Sequence, residues 1–150
     1  MIWAAGVNRR SILGRLRRNA VEPYQGNGLT QRRLSFVAKS CSPLFRQYVR
    51  GGELILVFAF DRANMDAEHR LKNIWGVHMK PANGKNCIIG LAVDVIDHGR
   101  DLATSVFIHE ISHFAHNNHG ADFVDHYHKL LATFNHHTER NIMDCSLMRL

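Results

Sequence analysis

Two runs of apolar residues stand apart from the rest of the chain. Glu53 to Phe60 reads ELILVFAF and Cys87 to Ile96 reads CIIGLAVDVI; both are rich in β-branched or aromatic residues and bounded by turn or charge signals, so both predict strands. Ile74 to Met79 predicts a third, shorter strand. Asn83-Gly84-Lys85-Asn86 is a turn sequence, so 74–80 and 87–96 are expected to pair as a hairpin.

Elsewhere the apolar positions recur with a helical period. Leu34, Val37, Ala38, Leu44, Phe45 and Tyr48 predict a helix over Thr30 to Val49, with Ser42-Pro43 as a point of kinking. Ile12, Leu13, Leu16 and Ala20 predict a short amphipathic helix. A third helix is expected from Asp101, as N-cap, to about Asn117, and a fourth from about Ala121 to Phe134, followed by a loop at 135–138. Strands mixed with helices in this order give an α+β fold. At 150 residues the chain has the length of one domain, here read as a basic N-terminal extension, 1–28, and a folded domain, 29–150.

Charge changes this picture in one respect. The net charge is +6, but residues 1–50 carry +9 and residues 51–150 carry −3. The basic character is thus N-terminal, and it suggests nucleic acid, an acidic surface or an acidic protein as partner. No aromatic residues are interleaved with Arg9, Arg10, Arg15, Arg17 and Arg18, which gives base recognition little support. Cys41, Cys87 and Cys145 form no CxxC pair or disulfide framework. No stretch has the ~18 apolar residues of a membrane span, and MIWAAGV is too short for the apolar core of a signal peptide. A cytoplasmic location is expected, export by another route aside.

The candidate chemistry lies in the third helix. His109-Glu110-Ile111-Ser112-His113 is an HExxH motif. Imidazoles at i and i+4 lie on one helix face, one turn apart, so both can ligate one metal ion. Glu110, on the flank of that face, reaches a metal-bound water as general base without being a ligand. Val106, Phe107, Ile108, Ile111, Phe114 and Ala115 surround the motif with apolar groups, which predicts a buried helix with its polar face on a cleft. Catalytic zinc usually takes three protein ligands. His116, two helical turns or about 10.5 Å from His109 on the same face, cannot complete a tetrahedral site and is expected in the cleft wall or behind the ligands. His119, between Asn117-Asn118 and Gly120, is the expected third ligand because Asn and Gly allow the left-handed backbone that ends a helix; Asp122, Asp125 and Glu139 are the alternatives. Tyr127, His126, His128, His136, His137 and Arg140 are candidate oxyanion donors.

These residues carry a resemblance. His109-Glu110-x-x-His113 followed by His119 has the ligand spacing of metzincins, without their glycine, whose place His116 takes; WLM-type peptidases share the spacing. His119-Gly120-Ala121-Asp122-Phe123 resembles the HGxxF context of SprT-type peptidases, and Asn141-Ile142-Met143-Asp144 resembles the Met-turn of metzincins. The resemblance spans roughly residues 87–145 and is to zincin metallopeptidases as a class. It implies a zincin-like fold with a small mixed sheet, an active-site helix and a helical C-terminal subdomain. It also implies Zn2+ as cofactor, peptide bonds as substrate, Met143 packed beneath the metal, and the strand before the motif helix as the cleft rim that takes up extended substrate. The function expected is zinc metalloprotease, SprT- or WLM-like on DNA-associated proteins. A non-catalytic zinc-binding module and an effector protease with one host target are the alternatives.

Overall fold

The computed structural model describes residues 21–45, 55–79 and 87–150. The helix expected over 12–20, the end of the next helix at 46–49, the start of the first strand at 53–54 and the hairpin turn at 83–86 lie outside the described residues.

Helix α1, Gly28–Phe45, starts where the Asn27 side chain accepts the amide of Leu29 at 2.8 Å. It buries Leu34, Val37, Ala38, Cys41 and Leu44, the i, i+3, i+4 stripe of an amphipathic helix. Pro43 does not end it. In the last turn the missing amide costs one hydrogen bond, and the helix continues to Phe45. Strands β1 (Ile55–Phe60), β2 (Gly76–Met79) and β3 (Cys87–Ala92) form one mixed sheet in the order β1-β3-β2. β1 and β3 are parallel, with Ile55 opposite Cys87 and Phe60 opposite Ala92; β2 and β3 are antiparallel, with Gly76 opposite Leu91 and Met79 opposite Ile88. The expected hairpin partners therefore do pair. β3 is central, however, and buried along its length, whereas β2 forms the edge and is half-buried. The strand before the motif helix thus has both sides paired, and β2 takes the rim position expected of it.

The second strand is also shorter than its apolar run. β3 stops at Ala92, and Val93–His98 is a helix, α2. Its Val-Asp-Val alternation reads locally as strand, but long-range partners decide otherwise. Asp94 accepts three hydrogen bonds from the Arg62 guanidinium, at 2.7–3.0 Å. Asp97 accepts Thr30 Oγ1 and Arg33, each at 3.0 Å, which ties α2 to α1. Helix α3, Arg100–Ser112, follows with Gly99 as its N-cap, so Asp101 sits in the first turn rather than at the cap. Helix α4, Ala121–Thr138, runs one turn past its expected end and absorbs 135–138. It closes at Glu139, which is left-handed (φ 54°), with Arg140 N bonded to Asn135 O at 3.1 Å. Short 3-10 helices lie at Arg62–Asn64 and Cys145–Leu147.

One hydrophobic cluster unites these elements, from Val21 to Cys145. Val21 is fully buried, and Tyr24 N donates to Ala59 O at 2.7 Å, so the last residues of the segment read as an extension pack against β1. α3 lies against β2, β3, α1 and α4, which places the motif where sheet edge and helices meet. No helix among the described residues is long and apolar enough to cross a membrane.

Gly90 is needed at the sheet's centre. A Cβ there would stand 2.5 Å from Phe58 Cζ and 2.9 Å from Val77 Cγ1. Gly90→Ala is expected to lower stability by about 1–3 kcal/mol, the usual cost of overpacking a filled core, read as a fall in the urea midpoint at unchanged slope.

Candidate metal centre

α3 is buried on nearly every side: Leu102, Val106, Phe107, Ile108 and Ile111 all enter the core. The flank bearing His109 and Glu110 gives onto a cleft. The helix ends at Ser112, earlier than the sequence suggested, with His113 as its C-cap. The next turn tightens: Phe114 N bonds to Ile111 O at 3.0 Å, and Ala115 N to Ser112 O at 3.2 Å. The chain is thus already turning before residue 116, so the glycine of the metzincin pattern has no task here. Glu139 is the one non-glycine residue with positive φ among those described, so Asn117 and Asn118 make the turn without a left-handed backbone.

This turn returns His119 to the helix. The Nε2 atoms of His109, His113 and His119 form a triangle with sides of 3.1 Å (109–119), 3.3 Å (109–113) and 3.0 Å (113–119). Donors held about 2.0–2.1 Å from a tetrahedral zinc ion stand about 3.3–3.4 Å apart, so the triangle has nearly the size a metal site requires. Proton placement agrees. His113 Nδ1 lies 3.0 Å from the His116 carbonyl, which can only accept, so the His113 proton resides on Nδ1 and its Nε2 presents a lone pair. Burial pushes His113 down to about 4 and holds His109 below the ordinary imidazole value, so both rings are neutral near pH 7, as ligands must be. The residues present fit a divalent ion bound by three imidazoles.

The surroundings of the triad depart from expectation in several places. His116 has left the helix face of His109 and His113. It serves the site through its carbonyl, while its ring faces His126 at 5.4 Å. Met143 does not pack beneath the triad: the residue is 53% exposed, and its carbonyl accepts Ser105 Oγ at 2.6 Å. The aromatic floor is Phe123, whose ring stacks on His113 (4.4 Å) and meets His109 and His119 edge-on (4.8 and 5.0 Å). Tyr127 is buried, its hydroxyl engaged by Ser105 Oγ at 2.6 Å and by the Cys145 amide at 3.0 Å. Burial raises the Tyr127 phenol's pKa, and the group acts as a tie between α3 and the 143–145 segment rather than as a free donor. Arg140 pairs with Asp101 at the far end of α3, away from the triad. His128 is bonded to Asp144 at 2.9 Å, and the rings of His136 and His137 meet edge-on at the end of α4. Asp122, Asp125 and Glu139 join neither ligand-bearing group found among the described residues.

Two groups that the sequence did not single out stand beside the triad. Cys145 Sγ lies 4.0 Å from His109 Nδ1, the nitrogen turned away from the triangle. His78, on β2, places Nδ1 3.0 Å from Glu110 Oε2 and stacks on the His113 ring at 4.3 Å, with the planes 14° apart. His78, Glu110 and His113 are close enough to suggest a second metal position. His113, however, has one free nitrogen, already turned to His109 and His119, so it can serve only the first. The His78–Glu110 pair is therefore a hydrogen bond.

A cleft of about 420 Å3 opens over these groups, lined by Trp75, His78, Glu110, His113, His119 and Cys145 among others. An adjoining hollow of about 390 Å3 shares Trp75 and Cys145 and extends over Phe123, Val124 and Met148. The arrangement offers three nitrogen donors, an open side, a carboxylate buried beside it and an apolar recess. Comparison with protein-family models, with curated proteins and with solved structures found no match to this chain.

Proposed function

We propose that this chain is a zinc-dependent hydrolase of the zincin type that cleaves peptide bonds. One observation carries the reading: three Nε2 atoms converge within 3.3 Å of one another with the Glu110 carboxylate on the same cleft. His109, His113 and His119 would hold the ion, which when bound supplies Lewis acidity to water and to a carbonyl oxygen. The chain's own groups do the rest. Glu110 receives a proton on its carboxylate and delivers it to the departing amine. His113 keeps its proton on Nδ1 through the His116 carbonyl, so its Nε2 stays available. Phe123 and the buried face of α3 exclude water from behind the ligands, which strengthens the electrostatics of the site. The choice of peptides rests on the resemblance of residues 87–145 to zincin peptidases.

A purely sequestering module would close its site with a fourth ligand. Among the described residues the group at the triad contributes three donors, and Cys145 approaches His109 from the side of Nδ1. That geometry favours an open position.

The purified protein is expected to carry about one zinc per chain and to cleave an unfolded protein such as casein. A chelator abolishes cleavage and zinc restores it. Metal-free protein that cleaves at the same rate, or zinc-loaded protein that cleaves no protein or peptide substrate, overturns the reading. The same assay with and without DNA tests the role expected of the basic N-terminal residues.

A further inference from the structure

We propose that His78 is a positioning residue for Glu110, and that β2 acts as a clamp on the general base; this rests on the function proposed above. The starting point is an electrostatic problem. Glu110 is 5% exposed, and a buried carboxylate needs a donor. α3 has none to give: its own amides are used within the helix, and its nearest polar side chains, His109 and His113, turn their nitrogens to the triangle, to Cys145 and to the His116 carbonyl. The donor comes instead from the sheet edge, where His78 Nδ1 meets Oε2 at 3.0 Å.

Gly76 completes the device. Residues i and i+2 of a strand point to the same face, so Gly76 and His78 both face α3. A Cβ at Gly76 would lie 2.8 Å from Val106 Cγ1 and 3.0 Å from both Cγ and Oε1 of Glu110. The absent side chain leaves the slot into which the Glu110 carboxylate extends. Two residues later the imidazole grips one oxygen of that carboxylate. One oxygen is thereby held, and the other, Oε1, is left without a side-chain donor among the hydrogen bonds of the described residues and is available to take a proton. The His78 ring is itself held flat by stacking on His113, at 4.3 Å and 14°. The clamp thus sets the rotamer of Glu110 relative to a ligand ring rather than relative to the helix alone. A carboxylate without this donor would sample several rotamers and spend less time in the productive one.

Two measurements test the proposal, one of them independent of activity. In metal-free protein, long-range 1H–15N spectra of the imidazoles are expected to show His78 as the Nδ1–H tautomer. Glu110→Ala should release that preference. In the zinc-loaded protein, His78→Ala is expected to lower kcat about 10–100-fold, the usual loss on removing a group that orients a reacting or ligating one, with KM and zinc content unchanged. His78→Asn, whose amide nitrogen falls near the position of Nδ1, should recover most of that loss; a merely structural contact would not be rescued in this way. A His78 ring protonated on Nε2 alone in the wild type overturns the clamp. So does His78→Ala with wild-type kcat, or Asn performing no better than Ala. A wild-type chain that binds zinc but cleaves no peptide overturns the functional reading instead, and the tautomer measurement still decides whether the clamp exists.

Discussion

Glu110→Gln is expected to leave zinc bound at about one per chain and to reduce kcat/KM by about 10²- to 10⁴-fold, the range over which a positioned acid–base group contributes. The expectation follows from what the substitution keeps. Gln has the volume of Glu, so it fits the slot opposite Gly76, and its amide oxygen still accepts from His78 Nδ1. The His109, His113 and His119 nitrogens are untouched, and Glu110 is no part of their triangle. What disappears is the ability to take up a proton. Zinc content by metal analysis and steady-state cleavage of a quenched peptide, run on the same preparation, check both halves. Zinc retained with activity lost assigns the proton transfer to this carboxylate. Turnover equal to wild type would falsify the general-base role, and zinc lost along with activity would make Glu110 a ligand.

How much of this could be read along the chain depends on how far apart the partners lie. The His109/His113 pair is a property of one helical turn, so the spacing alone carries it. His119 required a turn after the helix, and the signal was there in Asn117-Asn118-His119-Gly120. The way the turn is made was not: tightening of the last helical turn at 113–116 replaces the left-handed residue that the Asn and Gly content suggested. Val93–His98 reads locally as strand and folds as helix because Asp94 and Asp97 find Arg62, Thr30 and Arg33, 32 to 67 residues away. His78 left no local trace at all. It sits in an unremarkable Gly-Val-His, and only the pairing of β2 with β3 carries it to Glu110, 32 residues further on. Met143 illustrates the opposite failure. A four-residue likeness placed it beneath the triad, while Phe123 occupies that floor.

The same distinction between ligand and packing separates the effects expected at His119 and His113. His119 is exposed and lies in a loop, so His119→Ala should leave the metal-free protein within about 0.5 kcal/mol of wild type. His113 is buried, donates to the His116 carbonyl and stacks on both Phe123 and His78, so His113→Ala should cost the metal-free protein about 2–4 kcal/mol through the cavity and the orphaned carbonyl. Zinc adds a loss of similar size to both. At 1,000 times its Kd a metal that binds only the folded state stabilises by about 4 kcal/mol, and for a chain of this size that is a rise of roughly 10 °C in Tm. Wild type should show that rise, and both variants should lose nearly all of it, since two imidazoles bind far more weakly than three. Thermal melts with chelator and with excess zinc read the two effects separately. If His119→Ala kept the full zinc-induced rise, the third donor would lie elsewhere, and the open fourth position on which the proposed hydrolysis depends would lose its basis.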